Sequence, residues 1–265
     1  WRRPTPTADA TGAATATIIA ELADEARALG ELAAIGVVVP GVVDETAGRC
    51  VSAINLGWTE LPIRQLIESK LGAPIAFDQD VRAGALAEVS TGAAAGVRGI
   101  SAFIPIGTGI ASAVANDGRV LSSREWSGEI GQVVLGTGSH AGRRVEEVAS
   151  ASAIARSAGV ADAEEAARLV RAGDPRARAA WDDAVEVIAE AFAWIVATVA
   201  PELIVVGGGL AEAGPLLLEP LTTRLAERVP DGRRPRLVVA AHGEAAARQG
   251  ACRLAFELLG RRGAR

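Results

Sequence analysis

Apolar residues recur at helical spacing through residues 14–29 (ATATIIAELADEARAL), a pattern that predicts an amphipathic helix stopped by Gly30. An unbroken apolar run at residues 34–39 then closes on Pro40-Gly41, as a buried strand does. A loop carrying Asp44 and Asn55-Leu56-Gly57-Trp58 follows. Pro62 opens a helix to Leu71, and residues 74–77 make a short strand. The stretch AFDQDVRAGALAE, residues 76–88, passes from that strand through two acids, Asp78 and Asp80, into an alanine-rich helix expected to reach about Ala93. Strand and helix alternate as in a parallel sheet covered by helices.

A second block begins near Gly99. Residues 101–106 and 110–115 read as strands, Asn116-Asp117-Gly118 as a hairpin turn and residues 119–121 as the returning strand. Helices dominate after Val145. The longest, over residues 175–200, carries Pro175 in its first turn and leads into a strand at 203–206, Gly207-Gly208-Gly209 and another helix. A strand at 236–240 precedes a final helix over 245–259. Strand, glycine turn and helix thus occur twice, around Gly107 and around Gly208.

Composition narrows the class. With 265 residues, 49% of them apolar, the chain can build one or two domains with sizeable cores. A net charge of -5 gives no basic field toward nucleic acid or anionic membrane, so any phosphate site must be local. Cys50 and Cys252 are too few for a disulfide framework and lack the paired spacing of a zinc site; both are expected to be reduced and buried. No apolar run has the length of a membrane span, and the first residues lack the apolar core of a signal peptide, so the expected compartment is the cytoplasm. Because the chain begins at Trp1 and holds no methionine, the sequence is expected to be partial or to have lost modified methionines.

Asp80 stands at a strand's end and a helix's start, where rigid elements can aim a carboxylate into a cleft, as a general base requires. Asp78 or Asp80 could equally cap the helix. Gly107-Thr108-Gly109 and Gly207-Gly208-Gly209 each follow a strand. A phosphate needs backbone N–H groups at close range there, with no Cβ to hold it off, though a tight hairpin or a packing turn needs glycine for similar reasons. There is no GxxxxGK[ST] stretch, Lys70 is the single lysine, and no GxGxxG follows a strand, which excludes a P-loop enzyme. In SGEIGQ, residues 127–132, glycines bracket Glu129, which suits either a polyhydroxyl ligand or a solvated turn. Glu146 and Glu147 open the next helix, where acids commonly serve the helix dipole. His140 and His242 have no acid or cysteine at ligand spacing and take a structural reading, and no hydrolytic triad is visible.

The segments VVPGVVDE (38–45), NLGW (55–58), DQDVRAGALAE (78–88), IPIGTGI (104–110), GEIGQ (128–132) and IVVGGGL (204–210) resemble, in order and over nearly the whole chain, the ROK family of repressors, open reading frames and sugar kinases. The resemblance implies an α/β fold: the two-domain actin-like (ribonuclease H-like, hexokinase-type) architecture, with mixed sheets covered by helices. Residues 1–98 with 245–265 would form the smaller domain and residues 99–244 the larger. A cleft between them would hold Asp80 on one wall and Gly107 to Gly109 on the other.

By the same resemblance Asp80 is the catalytic base. Gly41, Asn55, Gln79, Asp80, Glu129, Gln132 and Glu146 contact the sugar, Gly107, Thr108 and Gly109 hold phosphate, and Gly207, Gly208 and Gly209 form the adenosine turn. The implied activity is ATP-dependent, Mg²⁺-assisted phosphorylation of a hexose or amino-hexose by a homodimer. A non-catalytic sugar-sensing regulator is the alternative, although this acidic chain offers no helix for direct nucleic-acid binding. Three departures stand out. The DxGGTK-type phosphate turn of the family's opening strand is not among these residues, so it lies upstream of Trp1 or the activity is lost. Gln132 replaces a histidine that touches sugar and metal in zinc-containing members. Their CxCGxxGC run is missing as well, since residues 133–145 hold no cysteine, and no zinc is expected.

Overall fold

The computed structural model describes residues 1–6 and 9–263. These divide into two compact units: residues 1–84 with 122–126 and 247–265, and residues 85–121 with 127–246.

The first unit opens with helix α1 (Ala13–Arg27). Asp9, lying ahead of it, accepts the N–H groups of Ala14 at 3.1 Å and Thr15 at 2.8 Å, which meets donors that a helix start leaves without intrahelical partners. Strand β1 (Gly36–Val39) pairs in parallel with β5 (Ala76–Gln79), Val39 standing opposite Gln79. Between them, β2 (Val42–Asp44), β3 (Arg49–Ala53) and β4 (Trp58–Leu61) form a three-stranded antiparallel sheet, followed by helix α2 (Ile63–Leu71). The sequence reading had a loop here. The strands are only three to five residues long, with outward Thr59 and Glu60 exposed, so the period-2 signal is faint. Trp58, Ile63 and Ile67 are fully buried in the core beneath.

Helix α3 (Asp80–Thr91) starts at the residue after β5. Helix α9 (Ala246–Gly263) packs on this unit backbone to backbone. A Cβ on Gly36 would lie 1.9 Å from the Ala251 carbonyl oxygen, and one on Gly250 would lie 1.9 Å from that of Ala83, so only glycine allows α9 so near to β1 and α3. Cys50 is buried, and burial pushes its thiol up to about 11. Cys252, expected to be buried, is instead exposed on α9, where its neighbour Ala251 takes the inward position.

The second unit is built on a five-stranded sheet in the order β10-β9-β6-β7-β8. β6 (Ile100–Pro105), β9 (Leu203–Gly207) and β10 (Arg236–Val239) are parallel, and β7 (Ala113–Asn116) and β8 (Arg119–Val120) run antiparallel at one side. The turn joining β7 to β8 has φ of 48° at Asp117 and 76° at Gly118, the paired positive values of the tight hairpin that the sequence predicts. The strand expected at residues 110–115 begins only at Ala113. Ile110 bridges back to Ile106, and the Ser112 N–H bonds Gly128 O at 2.8 Å, so residues 110–112 serve the loops around them.

Helices α4 (Val145–Ala149), α5 (Ala151–Ala158), α6 (Ala163–Arg171), α7 (Pro175–Val199) and α8 (Pro215–Arg228) cover the sheet. α7 is capped by Asp174, which accepts the Ala177 N–H at 2.8 Å, and it brings Trp181, Ile188 and Phe192 into a core shared with Ile104, Ile204 and Leu217. The final helix is shorter at its start than expected, because residues Gly243–Ala245 make a separate 3-10 turn.

Candidate active site

In the first unit the site is assembled at the C-terminal end of the β1–β5 pair. Gln79, the last residue of β5, is buried and donates its amide to Gly41 O at 3.1 Å. Gly41 has φ of 94°, and a Cβ there would fall 2.3 Å from Ser52 O, so the turn from β1 into β2 requires glycine. Asn55 is exposed, in the 3-10 turn Ile54–Leu56 whose Leu56 is buried.

Asp80 follows directly and is half-buried. Its Oδ1 accepts the N–H of Val81 at 2.8 Å. That donor belongs to the adjacent residue, whereas a capping side chain serves N–H groups two or three residues on. Burial pushes its carboxyl up to about 6, although N–H groups of its own turn and the charge of Arg82 work in the opposite direction. Asp78 is also raised by burial. Its Oδ1 accepts the Gln79 N–H and the Arg82 Nε, both at 2.7 Å. The Arg82 guanidinium further reaches Val43 O at 3.3 Å and Glu45 Oε2 at 3.0 Å.

In the second unit two glycine turns stand side by side, because β6 and β9 are parallel neighbours with Pro105 opposite Gly207. Ligand groups in open sheets collect at such carboxyl ends of strands. Gly107 donates to Gly109 O at 2.9 Å and accepts from the Ala151 N–H at 2.8 Å, so the turn closes on itself and on the start of α5. Nothing lies within 4 Å of the place a Cβ on Gly107 or Gly209 would take, and Thr108 is exposed. Gly208 differs: its φ is 74°, and a Cβ there would sit 2.4 Å from Ile106 O. The second turn is therefore packed against the first, and both leave open space at single glycines that a phosphate could approach.

The loop of residues 128–132 runs along the same edge. Ile110 O accepts the Gly131 N–H at 3.1 Å, and a Cβ on Gly128 would fall 2.0 Å from Ser112 O. Glu129 precedes the 3-10 turn Ile130–Gln132. The Gln132 amide donates to Glu146 Oε1 at 2.7 Å, and Oε2 of Glu146 lies 2.9 Å from where a Cβ on Gly109 would be. Glu146, on α4, thus touches both the Gly107–Gly109 turn and the loop. His140 and Asp183 approach to 3.4 Å, and His242 Nε2 meets the Thr91 hydroxyl at 3.1 Å. Among the described residues no group of three His, Cys, Asp or Glu side chains could hold a metal ion.

Sequence reasoning singled out Asp78 and Asp80 but gave no role to Arg82, Glu45 or Glu88. Arg82 stands four residues after Asp78, the spacing of an ordinary surface ion pair, and the burial that changes its meaning comes from β2. Glu88 is fully buried, accepting N–H groups of Ala93, Ala241 and His242 at 2.7 to 3.1 Å. Nothing in the alanine-rich sequence around it marks it as buried.

The chain has the two-domain actin-like fold of solved ROK kinases. The backbone superposes with a TM-score of 0.81 on the crystal structure of a ROK family glucokinase from Streptomyces griseus in complex with glucose and AMPPNP, at 22% identity over 94% of this chain and 90% of that one. It superposes on ROK hexokinase from Thermus thermophilus with a TM-score of 0.76, at 30% identity over 97% and 90% of the two chains. A glucokinase of Halalkalibacterium halodurans is 29% identical over 252 residues, covering 83% of this chain and 76% of that protein. The ROK family model matches residues 2–257, and the chain belongs to the ROK family.

Proposed function

We propose that this protein is an ATP-dependent sugar kinase that phosphorylates a hydroxyl of a hexose or amino-hexose, with Asp80 as the general base. The observation that carries the reading is Asp80 itself. A carboxylate at a strand–helix junction, turned away from capping and raised by burial to about 6, is matched to taking a proton near neutral pH. Asp80 takes the proton of the sugar hydroxyl, the freed oxygen attacks the γ-phosphorus, and the bond to ADP breaks with its electron pair leaving on ADP. Gln79, Gly41, Asn55, Glu129, Gln132 and Glu146 are the residues proposed to hold the sugar. Gly107, Thr108 and Gly109 would receive phosphate, and Gly207, Gly208 and Gly209 the nucleotide. The open positions at Gly107 and Gly209 fit those groups. Mg²⁺ bound with the nucleotide would neutralise phosphate charge, and the protein's own part is positioning. A cytoplasmic homodimer without zinc completes the proposal.

Asp80→Asn in the full chain tests it. The variant keeps shape and hydrogen-bonding capacity, so sugar affinity should stay within a few fold while turnover falls by about 10² to 10⁴. Full turnover in the variant would remove Asp80 from the chemistry. A wild-type protein that binds sugar but never consumes ATP with Mg²⁺ would instead be a sugar-sensing regulator.

A further inference from the structure

A buried guanidinium costs several kcal/mol unless its donors are met, and the first turn of a helix disfavours positive charge because peptide dipoles already present their positive ends there. Arg82 stands in that turn of α3 with its side chain only 4% exposed. The phosphoryl transfer derived above does not use it. We propose that Arg82 is a positioning residue for Asp80: it ties the end of β5 to β2 and the turn after β2, and so fixes the helix start from which the base is presented.

Two separate pieces of chain, the end of β5 and residues 43–45, meet on this one side chain. Nε bonds Asp78 in β5, while Nη2 bonds Val43 O in β2 and Glu45 in the turn beyond it. Glu45 in turn accepts the Ser122 hydroxyl, so the network extends to residues 122–126 of the same unit. Asp78 also holds the Gln79 N–H. Residues on both sides of Asp80 are therefore anchored, and what they anchor is its backbone.

The charged groups of the surrounding elements are few. β5 contributes Asp78, β2 and its turn contribute Asp44, paired with Arg49, and Glu45, and β1 carries no charge. α9 meets α3 through Gly250 against the backbone of Ala83, with its Arg248 and Arg253 exposed, and residues 122–126 bring Arg124, also exposed, and Glu125, which pairs with Arg49. Arg82 is thus the positive charge on Asp80's own helix turn, opposing what burial does to that carboxylate.

The inference rests on Asp80 being the base, so one of its readouts is independent of turnover. In the full chain, Arg82→Lys keeps the charge but cannot span two carboxylates and a carbonyl as the planar fork does, and Arg82→Gln removes the charge. Sugar affinity would be measured by calorimetry, turnover with saturating sugar and MgATP, and the Asp80 carboxyl titration by ¹³C NMR, its signal identified by loss in Asp80→Asn. Arg82→Lys should bind sugar within about threefold of wild type while turnover drops about 10- to 100-fold, the split expected when orientation rather than binding is lost. Arg82→Gln should also move the Asp80 titration to higher pH. Turnover within about twofold of wild type, or a parallel fall in turnover and sugar affinity, would overturn the proposal. If Arg82→Gln does not fold, Glu45→Gln loosens one arm while leaving the bond to Asp78, and unchanged turnover there counts against the proposal in the same way. Should the wild type prove not to phosphorylate sugar at all, an Asp80 titration unmoved by Arg82→Gln would overturn the inference separately from the kinase reading.

Discussion

At the scale of the residue, Asp80 sets catalysis and stability against each other. Its folded value, about 6, lies above the ordinary 3.8, so between those two pH values the folded chain keeps a proton that the unfolded chain releases. Stability contributed by this group is therefore greatest below pH 4, declines as pH rises through that window and is level above it. The cost at neutral pH is on the order of 3 kcal/mol, since one pKa unit corresponds to about 1.4 kcal/mol. Asp80→Asn should accordingly be more stable than wild type at pH 8 and lose that advantage near pH 4, measured by thermal unfolding across the range. A purely capping carboxylate predicts the reverse, a loss of up to about 1 kcal/mol that is largest where the carboxylate is ionised. Turnover of the wild type should fall as pH drops through about 6, where the base becomes protonated. The candidate base was legible in the sequence because an acid at a strand–helix boundary is a local pattern. Its surroundings were not, because Arg82 and Glu45 are 37 positions apart and their pairing depends on where β2 lies.

At the scale of the element, the two glycine turns separate structural from functional glycine. Gly208 has φ of 74° and ψ of 172°, a conformation nearly closed to other residues, and its missing Cβ makes room for Ile106 O. Gly208→Ala should therefore cost about 2 kcal/mol or more in thermal or denaturant unfolding, whether or not nucleotide is present. Gly107→Ala introduces a methyl group where nothing lies within 4 Å, so the fold should be unaffected. If phosphate approaches that backbone, KM for ATP should rise at least about tenfold with sugar affinity unchanged, the pattern of a steric block to one ligand. An unchanged KM would leave Gly107 as an ordinary hairpin residue. Around Gly208 strand, turn and helix were readable because glycine after an apolar run is a strong punctuation signal, whereas the turn at Gly107 leads into strand β7 and not into the helix expected there. Residues 110–112 were misread as strand because Ile110, Ala111 and Ser112 have suitable propensities, while their hydrogen bonds go to Ile106 and to the loop at Gly128.

At the scale of the whole molecule, the order of six short motifs was enough to identify the fold, since five of them mark the start or end of a strand and the sixth, residues 128–132, a loop with its own 3-10 turn. The β2–β3–β4 sheet escaped notice because its strands are short and half exposed, so only pairing across the turns at Gly48 and at residues 54–57 makes them strands at all. The same whole-chain view bears on metal content. Structural zinc sites are built from cysteine sulfur and histidine nitrogen, and the Gln132 amide nitrogen, which donates to Glu146 Oε1, has no lone pair to offer in place of either. Cys50 is buried in the core of the first unit, Cys252 is exposed on α9, and residues 133–145 hold no cysteine of their own. Elemental analysis of the purified protein should find far less than one zinc per chain, and a chelator should leave the unfolding temperature unchanged, whereas a structural zinc would contribute directly to folding. A sugar substrate at a hundred times its Kd should, by contrast, stabilise the chain by about 2.7 kcal/mol through mass action alone. Stoichiometric zinc together with a chelator-induced fall in unfolding temperature would mean that Gln132 and the segment after it are organised by a metal, and the hydrogen bond to Glu146 would lose its place as the contact that orders this loop.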